Sequence, residues 1–433
     1  MRRSSTVRAS RKLAAVGLVT LLVGLATGAP ATSEDVPLPL GDSDLVETRT
    51  VTELAPGVSL THISRGTEPA KEKDYQTTRR GPWQVRVLTI DPAVAVGSLR
   101  ATYGPDLAPT EKTSELAAYS GAMAAVNASY FTFSGSSSYP GDPVGLGLYD
   151  GQLLSEPSDG TAEVSLLVDS RTNQVSMPGK LSWRERVVNK RTGNGLKVEM
   201  LGHPPVVPGK CAKKKNPTKC RQSGDVVRLP AQFSANTPSG KGVEVVLGRN
   251  GCVVRREKER GTTLKPVQTS IQATGKQSKR LMTITRKHNG KRKACLRSSM
   301  RLRDSTGARI PTGPWMYGVN GRFTLTRAGQ VVVPRGQTSL FQRHPRTFVG
   351  RTSAGQIRIV TIDGRQATSV GAGLRETAAV ALALDMPDSI NLDGGGSTTM
   401  VVNGAVTNQP SGSSEREVGD ALIWSPTPWA RRR

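Results

Sequence analysis

The chain has 433 residues, with 60 Lys and Arg against 34 Asp and Glu, a formal net charge of +26, and 36% hydrophobic residues. Beyond an N-terminal apolar run, no segment approaches about 18 uninterrupted apolar residues, which excludes a multi-spanning helical membrane protein. Ordinary apolar content with 46 Gly, 28 Pro and only 4% aromatics suits a loop-rich chain of many short strands, in one large or two modest domains.

Residues 1–31 read as a signal peptide. Arg2, Arg3, Arg8, Arg11 and Lys12 precede the apolar run Leu13 to Ala26, and Ala29-Pro30-Ala31 offers an A-x-A cleavage site. The run is short for a membrane span, so a secreted or cell-envelope location is expected, without a transmembrane segment after cleavage. An uncleaved anchor is the alternative. Residues 32–80 form an approach segment, in which Thr50 to Ile63 alternates in part and could open the first sheet, broken by Pro56-Gly57. The folded domain proper is expected over 81–424, with a basic tail at 425–433.

Trp83 to Ile90 is a clean alternating strand ending at Asp91-Pro92. Thr113 to Ala125 reads as a short helix capped by Thr113 or Ser114, running into Val126-Asn127-Ala128-Ser129-Tyr130-Phe131. A loop then leads to a hairpin, Gly145 to Pro157, turning at Asp150-Gly151. The same grammar returns near the C-terminus. Leu374 to Leu384 is an Ala-rich helix, Ile390-Asn391 a strand end, and Val401 to Pro410 a hairpin turning at Asn403-Gly404. Together these elements predict an α+β fold of mixed and antiparallel sheets with a few helices. Two related helix–strand–hairpin halves flank a β-rich middle, with Asn127 and Asn391 at corresponding places.

The middle, 181–333, holds strand candidates at Gly242 to Leu247, Gly251 to Arg255, Lys279 to Thr285 and Gly321 to Thr326. Residues 201–310 carry 26 Lys and Arg against 5 Asp and Glu, so most of the excess charge sits there. On an exported chain this points to anionic envelope polymers rather than nucleic acid, since no aromatic–basic pattern of a nucleic-acid module is visible. A solvated basic surface is the plain alternative. Cys211, Cys220, Cys252 and Cys295 fit two disulfides, with Cys211–Cys220 and Cys252–Cys295 favoured among three connectivities. Their spacing does not suit zinc.

His344-Pro345-Arg346-Thr347 follows, then the β-branched run Ile357 to Ile362 ending at Asp363-Gly364-Arg365. Arg346 and Arg365 could each fork onto a phosphate or carboxylate. Finally, Ile390 and Leu392 alternate with Asn391 and Asp393 before Gly394-Gly395-Gly396-Ser397-Thr398. Three glycines in a row suit a backbone at positive φ or pressed against a ligand. Asp393, Ser397 and Thr398 put a carboxylate and two hydroxyls around one small volume.

Asn-Ala-Ser-Tyr-Phe at 127–131, His-Pro-Arg-Thr at 344–347, Asp-Gly-Arg at 363–365 and Asn-Leu-Asp-Gly-Gly-Gly-Ser at 391–397, in this order, resemble the phosphodiester glycosidase family. The resemblance runs from about Gly81 to Trp424 and includes Glu415-Arg416 before the last strand. It implies hydrolysis of a sugar-1-phosphodiester, such as one of N-acetylglucosamine. Such a bond breaks through an oxocarbenium-like transition state, usually between two carboxyl groups. The carboxylates in matching motifs are Asp363, Glu376, Asp393 and Glu415, with Asp393 and Asp363 the first candidates and Glu376 more suited to a cap. Substrate-binding candidates are Asn127, Tyr130, Arg346, Thr347, Arg365, Asn391, Gly394, Gly395, Gly396, Ser397, Thr398 and Arg416. No cofactor is required by this chemistry, and a structural divalent cation held by Asp side chains is left open. The competing class is a non-catalytic wall-binding or anionic-polysaccharide-binding protein on the same scaffold.

Overall fold

The structure is a computed structural model that describes residues 36–133, 138–287, 293–412 and 414–430. The expected signal peptide lies outside the described residues. From Pro37 onward the fold is α+β, as the pattern predicts, and its sheets are antiparallel in all but one pairing.

An eight-stranded sheet forms the centre. Its order is Glu47–Ala55, Val58–Arg65, Trp83–Ile90, Ile357–Ile362, Arg346–Arg351, Asp388–Asn391, Thr324–Arg327 and Gln330–Val331. Both faces of its central strands are buried. Val85, Val87, Val360 and Ile362 pack with Ala378, Val380 and Ala381 of the helix Leu374–Ala383. Leu88, Ile90, Ile357 and Ile359 pack instead with Val126, Leu422 and Trp424 of a second sheet. That sheet runs Ala405–Val406, Met400–Val402, Ala124–Asn127, Ala421–Ser425 and Ser98–Thr102. Its far side is covered by Leu116 and Ala117 of the helix Thr113–Ser120. The layers are therefore helix, sheet, sheet, helix, and two-sided burial explains the near-continuous apolar runs.

Both repeated units are present. In each, a helix leads to a strand ending in Asn, and the later hairpin turns through Asp150-Gly151 or Asn403-Gly404 with all four residues at positive φ. Two consecutive left-handed residues give the twist a two-residue hairpin needs. The two Asn-bearing strands, Ala124–Asn127 and Asp388–Asn391, belong to different sheets, and their Asn ends meet face to face. Residues 32–80 do more than approach the domain, because Glu47–Ala55 and Val58–Arg65 complete the edge of the central sheet. The first helix also stops earlier than its Ala-rich sequence suggests. Gly121 at φ 60 caps it, freeing Ala124–Asn127 to pair as a strand.

The middle builds two further sheets. One joins Gly195–Val198, Ser182–Asn189 and Leu296–Arg303; the other joins Met200–Leu201, Val226–Pro230, Thr269–Ala273, Val243–Leu247 and Val253–Glu257. Lys279 to Thr285 is a correction. It lies in the helix Gly275–Ile284, where straight-chain Lys, Gln, Arg, Leu and Met residues outweigh the short apolar run and Leu281 alone among the large apolar residues is fully buried. Cys211 joins Cys220 and Cys252 joins Cys295, as favoured. No described helix is long and apolar enough to cross a membrane.

One ion pair fastens the middle to a surface loop of the layered body. His203 Nδ1 meets the buried carboxylate of Asp142 at 2.5 Å, with Glu156 at 3.9 Å. Burial works to lower the His203 pKa, but Asp142 and Glu156 outweigh it and push the imidazole up to about 9. Burial pushes Asp142 upward, opposed by His203, so the pair only partly offsets the desolvation of its acid. A histidine raised in the fold contributes stability fully below its unfolded value and loses it as pH rises through its folded value. The urea midpoint should therefore fall between about pH 6.5 and pH 9. His203→Gln should remove that slope and cost about 2 kcal/mol at pH 6, by stranding Asp142. An unchanged slope in the variant would refute the linkage.

Candidate active site

The site forms where the two Asn-bearing strands meet. Asn127 donates from Nδ2 to the Asp393 carbonyl at 2.7 Å, while Asn391 donates from Nδ2 to the Tyr130 hydroxyl at 2.9 Å. Each asparagine thus reaches into the loop that follows the other. Asn127 Oδ1 also accepts from Thr347 Oγ1 at 2.9 Å and from the Thr399 amide at 3.1 Å. Thr347 Oγ1 lies 3.4 Å from Thr398 Oγ1. Asn127, Thr347, Asn391, Ser397 and Thr398 are all at most 1% exposed, so this network sets loop positions rather than facing solvent.

The three glycines have separate reasons. Gly394 lies where a Cβ would come 2.8 Å from the Pro345 carbonyl oxygen, and Gly395 adopts φ +61. Gly396 lies flat under Arg416, whose Nη2 would be 2.3 Å from an added Cβ. The loop then closes as a single 3₁₀ turn, Gly395–Ser397. Its amides are partly used internally: Gly395 donates to the Pro345 carbonyl and Ser397 to the Gly394 carbonyl. The close approaches, more than a row of free amides, explain the glycine run.

Asp393 is the carboxylate this architecture leaves open. Burial pushes its pKa up to about 6, against the opposing effects of Ser397, the Gly394 amide, Arg416 and Arg322. The residue is nonetheless partly exposed. Ser397 Oγ lies near it, although no hydrogen bond of good geometry joins them. Arg322, Arg365 and Arg416 are exposed around the same loop, and none has a carboxylate within 4 Å among the described residues. Arg322 stacks 4.6 Å over the Tyr130 ring and Arg416 5.1 Å over Phe133. Arg365, at φ 60, donates from Nε to His344 Nδ1 at 3.2 Å, and His344 Nε2 lies 2.8 Å from the Ser339 carbonyl. This network assigns the neutral Nε2–H tautomer. Burial and the charges of Arg365 and Arg346 hold the His344 pKa down, so the ring positions Arg365.

The other predicted carboxylates are engaged elsewhere. Asp363, 3% exposed, accepts from Asn408 Nδ2 at 2.9 Å and the Gln409 amide at 3.1 Å. Asn408 in turn donates to the Thr398 carbonyl, so Asp363 acts on the loop from behind. Glu376 caps its helix through the Gly373 amide and pairs with Arg343 at 2.6 Å. Glu415 accepts from the Ser114 amide at 2.8 Å and hydroxyl at 2.7 Å, supplying the cap that Thr113 or Ser114 was expected to form. Arg346 also departs from expectation. It is 2% exposed and donates to the carbonyls of Ala372, Leu340 and Gln342, and burial lowers its pKa to about 10. Its guanidinium holds backbone in place of a ligand.

Arg322 and Asn408 carry no motif and went unseen in the sequence. The only signal for Arg322 is a charge ending the otherwise uncharged, buried strand Met316–Arg322. Among the described residues, no group of three His, Cys, Asp or Glu side chains is arranged to hold a metal ion.

Residues 238–424 match the family model described as phosphodiester glycosidase. Bos taurus N-acetylglucosamine-1-phosphodiester alpha-N-acetylglucosaminidase is 34% identical over 112 residues, covering 23% of this chain and 21% of that protein. The Homo sapiens protein of the same name is 42% identical over 66 residues, covering 15% and 13%. The matches thus span about a fifth or less of these relatives' lengths. A Burkholderia pseudomallei K96243 crystal structure, of a protein described as exported, superposes with a TM-score of 0.73 over 90% of this chain and 98% of that one. At 24% identity it shows a shared fold. The resemblance to the phosphodiester glycosidase family carried by the motifs is therefore matched by the family's own model across residues 238–424.

Proposed function

We propose that the chain is an exported hydrolase that cleaves a sugar-1-phosphodiester, with Asp393 as its working carboxylate. The observation that carries this reading is one open carboxylate beside three exposed guanidinium groups that lack acidic partners. An anionic substrate supplies the missing counter-charge. Two carboxyl groups are the usual requirement for a neutral glycoside, one of them protonating the leaving oxygen. When C1–O of a sugar-1-phosphodiester breaks, the leaving group is a phosphate monoester, a stable anion, so charge stabilisation replaces that proton. Arg322, Arg365 and Arg416 hold the departing phosphate, and Asp393, ionised above about pH 6, serves C1 as nucleophile or as base for water. Tyr130, whose oxygen already accepts from Asn391, keeps its O–H for the substrate. Burial and the Asp393 charge hold that hydroxyl protonated. Asn127, Asn391, Thr347, Ser397 and Thr398 keep these groups in register. Disulfides in the basic middle fit an oxidising, extracytoplasmic setting.

The test compares UDP-N-acetylglucosamine and other sugar-1-phosphate esters with uncharged aryl glycosides of the same sugars. Free sugar should appear from the phosphate esters at least about 100-fold faster, the order expected for electrostatic stabilisation of a leaving group. Equal rates on the uncharged set would refute phosphate recognition. No turnover on any member would move the reading to a binding protein.

A further inference from the structure

The sheet built from Gly195–Val198, Ser182–Asn189 and Leu296–Arg303 is two-faced. Leu196, Val198, Glu185, Val187, Leu296 and Leu302 point inward and are buried. The outward face carries Arg184, Arg186, Lys197, Arg297, Arg301 and Arg303, all exposed. Strand register sets like charges directly opposite each other: Arg184 faces Arg301, and Arg186 faces Lys197. Such pairs destabilise a sheet, and solvated protein faces ordinarily intersperse both signs. No carboxylate lies within 4 Å of any of the six among the described residues. The one acid within the Ser182–Asn189 strand, Glu185, is on the inner face, bonded to Arg228 at 2.8 Å. Asp304, next after Arg303, is occupied by the amides of Thr306 and Ala308. A recess of about 770 Å³ lies at the Asn189 end of the same sheet, and its charged lining is Lys190, Arg191, Arg286, Lys287 and Lys293.

We propose that this outward face docks a linear phosphodiester-linked polyol polymer, a single-stranded polyanion without bases. Three strands about 4.8 Å apart make a strip roughly 10 Å wide and, at about 3.3 Å per residue, some 26 Å long. That is the footprint of one extended chain and too narrow for a duplex or a bilayer plane. The outward face has no aromatic side chain on which bases could stack, and its one branched apolar residue, Val188, is only partly exposed and too small an anchor to enter lipid. Guanidinium forks match successive phosphates along the polymer. The proposal stands independently of hydrolysis at Asp393.

Binding of poly(glycerol phosphate) to the full chain is measured over a range of NaCl concentrations. Arg184→Gln/Arg186→Gln/Arg301→Gln should weaken it about 30-fold near 0.1 M salt and reduce the log K against log salt slope by about 2 to 3. Its melting temperature should stay unchanged or rise, because the Arg184–Arg301 repulsion is gone. The control, Lys213→Gln/Lys214→Gln/Lys215→Gln, removes equal charge from an exposed loop closed by the Cys211–Cys220 disulfide. It should bind within about threefold of the parent, as expected of distant charges screened by salt. Should the first triple variant fail to fold, Arg184→Gln/Arg301→Gln against Lys213→Gln/Lys214→Gln gives the same comparison at equal charge. Equal losses in both variants would reduce the effect to net charge and overturn the proposal. So would no binding at low salt, or tighter binding to duplex DNA or phosphatidylglycerol vesicles than to poly(glycerol phosphate).

Discussion

Asp393→Asn is expected to lower kcat on a sugar-1-phosphodiester by about a thousandfold or more, the scale lost with an essential nucleophile or base. The parent should show kcat rising with pH through a midpoint near 6, where Asp393 loses its proton, and the variant should lack that limb. A falling limb at the same midpoint would assign Asp393 as an acid instead. Residual activity above a tenth would remove it from the chemistry. Stability supplies a separate check. The folded pKa lies above the ordinary 3.8, so the fold favours the protonated form and loses stability as pH rises from about 4 to about 6. Asn cannot ionise, so the variant should unfold at an equal or higher urea concentration at pH 7.5. Losing activity while gaining stability separates a working carboxylate from a structural one.

What the sequence disclosed follows from which physical signals are local. Trp83–Ile90 and Ile357–Ile362 were legible because apolar patterning over a few residues specifies a strand wherever it pairs. The Asn403-Gly404 and Asp150-Gly151 turns were legible because few residues adopt two left-handed conformations in succession. The glycine loop drew notice for the same reason, although its detailed purpose rests on Pro345 and Arg416, remote in sequence. Carboxylate roles were not legible. Asp363, Glu376, Asp393 and Glu415 are equivalent as letters, and only three-dimensional partners separate them. Asn408 takes Asp363, Arg343 takes Glu376 and Ser114 takes Glu415, leaving Asp393. Arg346 misled by the same logic: a motif arginine can fork onto carbonyls as readily as onto phosphate. The basic middle could be counted from composition, but the like-charge strip needed strand register.

Gly396→Ala tests whether the glycine loop exists to seat an arginine. An added Cβ would come within 2.3 Å of Arg416 Nη2, 2.4 Å of Cζ and 2.8 Å of Nε, a flat contact along the guanidinium. The obstructed group is the end of a flexible, exposed side chain, so the protein should fold and Arg416 should move. If Arg416 holds the departing phosphate, Gly396→Ala and Arg416→Gln should each lower kcat/KM on the phosphodiester about 100-fold, in line with losing one well-placed charged donor. Both should leave a glycoside with an uncharged leaving group nearly unaffected, because no phosphate charge then develops for Arg416 to meet. The double variant should be no worse than either single one, since both remove the same interaction. Additive losses would show that Gly396 serves the backbone rather than Arg416. Equal losses on the uncharged glycoside would place Arg416 with the sugar. Only non-additivity confined to phosphate leaving groups fits a loop shaped to lay a guanidinium against the bond that breaks.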